Sequence, residues 1–120
     1  VNIRPKLTGI AATLSLIVAI PALCAAEDTA ALWTKHCASC HGADGKAATK
    51  MGKILKVEDL TNPEVVAQFD RDKMIASTKA GILKDDGKTP WMPEFGSKLS
   101  DEQIAALIDY VINDIAKKAE

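Results

Sequence analysis

Five consecutive residues, Cys37-Ala38-Ser39-Cys40-His41, constrain this chain more than anything else in it. Two thiols with two residues between them lie on one helical turn, and a histidine follows at once. That spacing suits attachment of a c-type haem. Each thiol adds across one vinyl group of the porphyrin and becomes a thioether. The next residue then offers an imidazole nitrogen to the iron as proximal ligand. A C-x-x-C pair alone also serves thioredoxin-like redox sites and zinc knuckles. A thioredoxin-like site needs a βαβ context, and no β-branched strand precedes Cys37. A zinc site needs four ligands, and the remaining candidates are Cys24 and His36. His36 abuts Cys37, and Cys24 falls in a segment read below as removable. The motif therefore assigns Cys37, Cys40 and His41 to one covalently bound haem.

Composition agrees with a chain that borrows part of its core. Aromatic residues make up only 4% of the 120 residues. A haem supplies a large flat apolar face where aromatic side chains are scarce. Domains below about 100 residues are marginal without a disulfide, metal or cofactor. With three cysteines and two of them taken by haem, no disulfide framework remains. Charge is balanced at a net −1, with no basic block, so nucleic acid is not an expected partner.

Residues 1–26 read as a secretory signal peptide. Arg4 and Lys6 form a basic start, Ile10 to Ile20 is apolar, Pro21 breaks the helix, and Ala22 to Ala26 offers small residues for cleavage. Two rivals are an uncleaved membrane anchor, since Leu7 to Ala26 has about the length that spans a bilayer, and a lipoprotein modified at Cys24. Export is expected in each case, and with it a periplasmic location. Residues 27–120 then form one domain carrying 13 Lys+Arg and 16 Asp+Glu, a net −3.

Within that domain, Asp28 is placed to cap a helix running from about Thr29 through the Cys-x-x-Cys turn. Trp33 is expected to pack against another helix, and His36 to sit at the surface or beside a haem propionate. Gly42 to Lys46 is a turn cluster. Ala47 to Leu60 reads as irregular, with Lys46, Lys50, Lys53 and Lys56 on a solvated face. Asn62-Pro63-Glu64 starts a helix, and Asp70 caps another that ends at Gly81, with Met74, Ile75 and Thr78 inward. Ile82 to Lys98 reads as a loop, of a length that in a small domain is usually functional. Ser100 and Gln103 form a capping box for a last helix reaching about Lys118. On it Ile104, Leu107, Ile108, Val111, Ile112 and Ile115 recur at helical spacing. No strand is expected.

An electron-transfer haem needs a sixth iron ligand, and there are three methionines. Met51 lies too close to His41 to cross to the other face without a detour. Met74 sits at an apolar helix position that suits core. Met92 lies between Pro90 and Pro93, which stiffen its loop. Met92 is therefore expected to ligate, a standard haem option for a thioether; the alternative is that it fills an apolar gap.

Together, Cys37 to His41, the Met92-Pro93 loop and the pair Leu107 and Tyr110 resemble a small class I monohaem cytochrome c of bacterial periplasmic type. The resemblance covers nearly all of residues 27–120. It implies an all-α fold of three to five helices wrapped around one covalently attached haem. It also implies crossing first and last helices, with Trp33 near Leu107 and Tyr110. Many members place a proline a turn or two past the haem histidine, whose carbonyl accepts the histidine N–H. Here Met51-Gly52-Lys53-Ile54 holds none.

A site with both axial positions filled has no place for substrate, so the expectation is a monomeric one-electron carrier rather than an enzyme. It would dock transiently with redox partner proteins at the haem edge, and Lys50 and Lys53 are candidates for steering an acidic one. The alternatives are an electron-entry subunit of a larger oxidase or dehydrogenase, and a small-ligand sensor or peroxidase. The last has little support, since no His or Arg lies near Met92 in the chain.

Overall fold

The structure, a computed structural model, describes residues 28–119. The expected leader over residues 1–26, Cys24 and the domain boundary lie outside them.

Helix α1, Thr29–His36, begins where the Asp28 carboxylate accepts from Ala30 N at 3.2 Å. Cys37 interrupts it, and the short α2, Ala38–His41, continues the turn. The next helix corrects the sequence reading. Ala47 to Leu60 is not irregular throughout, because α3 spans Lys50–Leu55. Gly52 lowers the local helix propensity, but Thr49 caps the start by accepting from Gly52 N at 2.8 Å. Lys56 closes the end in the left-handed region at φ 53.

Helix α4, Pro63–Val66, starts on Asn62, whose side chain accepts from Glu64 N at 2.9 Å. Helix α5, Arg71–Ala80, starts on Asp70, which accepts from Lys73 N at 3.1 Å, and stops at Gly81. Thr78 is buried and Met74 and Ile75 are half-buried, as the pattern predicts.

The stretch from Ile82 to Lys98 holds a second departure. Strands β1, Ile82–Leu83, and β2, Pro90–Met92, pair antiparallel, with Ile82 opposite Met92 and Leu83 opposite Pro90. Two and three residues are too short for a period to show, and Gly87 with Pro90 disguises the hairpin as a plain loop.

Helix α6, Asp101–Tyr110, carries the expected capping box: Gln103 N donates to Ser100 Oγ at 3.1 Å and Ser100 N to Gln103 Oε1 at 2.9 Å. A π-helical turn, Val111–Ile115, and a 3-10 turn, Ala116–Ala119, prolong it. Its apolar stripe packs against α1. Leu32, Trp33, Ile104, Leu107, Val111 and Ile115 are buried together with Phe95 and Leu99, and Ile104 and Ile115 are fully enclosed. Trp33 faces Tyr110 with ring centroids 6.2 Å apart. The first and last helices thus meet through the residues expected of them.

Candidate functional site

A cavity of about 680 Å³ opens beside this core, a size typical of ligand sites. Trp33, Cys37 and His41 line it from α1 and α2, and Leu107, Ile108 and Val111 from α6. Val65, Phe69, Met74 and Thr78 close another side, and Ile82, Trp91 and Met92 reach in from the hairpin. Its walls are mostly apolar.

His41 belongs to α2, whose register places it one turn past Cys37; its own N–H donates to Cys37 O at 3.0 Å. Its ring lies against Trp33 with centroids 5.7 Å apart, and Trp33 Nε1 donates to Gly42 O at 3.0 Å. The indole therefore braces the imidazole and locks the turn behind it. Burial lowers the His41 pKa, so the ring is neutral and keeps a lone pair. Nδ1 is buried with no hydrogen-bond partner among the described residues. Nε2 is then the nitrogen left to serve the cavity. No carbonyl of the proline-free stretch Met51 to Ile54 takes the Nδ1 position's bond.

Cys37 and Cys40 are both free and half-buried, and Cys37 lines the cavity whereas Cys40 does not. Burial first, and the neighbouring Cys40 second, push the Cys37 thiol up to about 11. Two residues that sequence reasoning passed over hold this segment in place. Thr49 Oγ1 donates to Cys40 O at 2.9 Å while capping α3. Gly52 lies flush on the same turn: a Cβ there would stand 2.6 Å from Cys40 O and collide with Ala47 O. An N-cap threonine ahead of Lys50 was the available signal for Thr49.

Of the methionines, Met92 is half-buried and lines the cavity, and Met51 is 42% exposed and does not. Met74 packs on the core as expected, yet it also lines the cavity. His36 lies outside the lining, edge-on to Phe95 at 6.2 Å. Lys46, Lys50, Lys53 and Lys56 are all exposed, as expected. Lys56 and Lys73 reach the cavity rim, whereas Lys50 and Lys53 do not.

This donor set suits a haem. The cavity is apolar, a neutral imidazole faces it with one nitrogen, and two free thiols sit within the preceding turn. Comparison with known proteins gives the same answer. Residues 25–111 match the family described as "Cytochrome C oxidase, cbb3-type, subunit III". A cytochrome c6 from Microcystis aeruginosa is 34% identical over 90 residues, covering 75% of this chain and 98% of that protein. The fructose dehydrogenase cytochrome subunit of Gluconobacter japonicus is 36% identical over 92 residues, or 72% of this chain, which spans 18% of that longer protein. Among solved structures, the KustC0563 c-type cytochrome superposes with a TM-score of 0.60 at 28% identity, covering 71% of this chain and 94% of that one. The chain therefore belongs to the cbb3-type subunit III family of small c-type cytochromes, binds haem c covalently and carries electrons.

Proposed function

We propose that Cys37 and Cys40 hold the haem as thioethers, that His41 Nε2 is the proximal ligand, and that Met92 supplies the sixth. The protein then exchanges single electrons with redox partners outside the cytoplasm and catalyses no reaction of its own. The observation that supports this best is one apolar cavity lined together by Cys37, His41 and Met92. When bound, the haem supplies a one-electron couple whose potential a thioether ligand raises.

The chain's own residues do the rest. Trp33 and the α6 stripe exclude water from one side of the cavity, and Met74 and Phe69 from another. Thr49 and Gly52 fix the turn that bears Cys40 and His41. Among the described residues the lining holds no arginine and no histidine besides His41, so these residues offer no distal Arg or His to handle peroxide.

The sixth ligand is tested by exchanging the two methionines that line the cavity. Met92→Ala is expected to abolish the weak far-red band of the oxidised protein and to admit carbon monoxide to the reduced one. Met74→Leu is expected to keep the band. The opposite pattern would transfer the role to Met74.

A second reading has its own support. The similarity to a dehydrogenase cytochrome subunit favours a domain that passes electrons within a larger assembly. Intact mass and sedimentation of the protein purified from its native membrane and soluble fractions separate the two: a carrier sediments alone, an assembly subunit with its partner.

A further inference from the structure

The Met92 backbone is pressed onto the end of α5, and the contact runs through Gly81. Gly81 has φ 77 and ψ 174, a conformation that only glycine holds without strain. A Cβ there would stand 2.8 Å from Met92 O, 2.9 Å from Glu94 N and 3.1 Å from the Pro93 carbonyl carbon. All three are backbone atoms, which cannot swing aside as the end of a side chain does. The same segment is anchored on either side of the contact. Ile82 pairs with Met92 across the hairpin. Phe95 N donates to Thr78 O at 3.1 Å, and Gly96 N to Lys79 O at 3.1 Å. The loop therefore lies flat along the C-terminal turn of α5, with no space between them for even a methyl group.

We propose that Gly81 is the positioning residue for the sixth ligand: having no side chain, it lets the Met92–Glu94 backbone seat against α5, which sets how far the Met92 thioether reaches into the cavity. The inference rests on Met92 being that ligand. Two other glycines make the claim specific. Gly87, in the same hairpin, also has a positive φ of 65, but a Cβ there meets nothing within 4 Å. A substitution at Gly87 therefore brings conformational strain without the contact. Gly96 has no positive φ, and a Cβ there would lie 3.1 Å from Lys79 O. A substitution at Gly96 brings a mild version of the contact without the strain.

The test uses the full-length, haem-loaded protein with Gly81→Ala, Gly87→Ala, Gly96→Ala and Met92→Ala, each read by the far-red band, the reduction potential and the rate of carbon monoxide binding. Gly81→Ala is expected to keep its covalent haem and helical circular dichroism while losing most of the band and lowering its potential. Carbon monoxide binding should quicken about tenfold, the ratio that strain of this size sets. Gly96→Ala should move the same readouts by less, and Gly87→Ala should leave them as in the parent. If Gly81→Ala does not accumulate, Gly96→Ala decides. Parent-like values in the folded Gly81 variant, or in Gly96→Ala where that variant decides, would overturn the proposal, as would equal shifts in Gly87→Ala. Met92→Ala separates the two levels: if it keeps the band, the ligand reading falls and takes this one with it. If it loses the band while Gly81→Ala keeps it, only the role of Gly81 falls.

Discussion

Thr49 Oγ1 accepts from Gly52 N and donates to Cys40 O, so one hydroxyl ties α3 to the turn that carries Cys37 and Cys40. Thr49→Val removes both bonds and leaves a half-buried amide unpaired. The expected cost is about 1–2 kcal/mol, measured by denaturant unfolding of the haem-loaded protein. Thr49→Ser should recover most of it. His41 adds a second consequence at this scale. An acceptor on the outer nitrogen makes a ligating histidine more basic. Nδ1 here has none among the described residues, so under the proposed ligation the imidazole would be a weaker donor and would favour the reduced iron. Cys37, Cys40, His41 and Met92 stood out in the sequence as candidates because of the C-x-x-C-H spacing and the prolines flanking Met92, and three of them, Cys37, His41 and Met92, line the cavity. Thr49, Gly52 and the cavity-facing side of Met74 did not stand out, because each depends on a neighbour distant along the chain.

The β1–β2 hairpin turns on Asp86, whose carboxylate accepts from Lys88 N and Thr89 N, each at 2.8 Å, and from Thr89 Oγ1. The Thr89 hydroxyl foremost, then the two amides, hold its pKa at about 2. A folded value below the ordinary one of about 3.9 means that the ionised carboxylate favours the turn. That contribution is complete above about pH 4 and disappears as pH falls through about 2. The Lys88 and Thr89 amide resonances should therefore move together below pH 4, with a midpoint near 2, and Asp86→Asn should remove the titration. Helices α1, α4, α5 and α6 were readable from Asp28, Asn62, Asp70 and Ser100, since a capping side chain acts within three residues. The hairpin and α3 were not. Gly87 and Pro90 in one, and Gly52 in the other, are disfavoured locally and tolerated only through side-chain bonds and packing against other elements.

At the level of the whole molecule, stability rests on α1 against α6, where Ile104 is fully enclosed. Ile104→Ala should cost about 3 kcal/mol, seen as a lower denaturant midpoint at unchanged m-value. Which helices meet could not be derived from spacing; the apolar stripe on α6 shows a face but names no partner, and Trp33 with Leu107 and Tyr110 acquired that meaning from family resemblance. The rim charges also needed the fold to be found. Lys56 and Lys73 border the cavity, so Lys56→Glu with Lys73→Glu should slow association with an acidic redox protein and flatten its salt dependence. Stopped-flow rates across a salt series check this, and an unchanged slope would remove steering from the account. Trp33 and Trp91, the two tryptophans of the chain, both border the cavity, one braced against His41 in the core and the other 39% exposed at the hairpin. A porphyrin there would drain the excited state of both indoles, leaving the native protein nearly dark in ultraviolet emission. Each ring should brighten as its own part of the structure releases the pigment, so fluorescence from single-tryptophan variants would report whether the hairpin opens before the helical core.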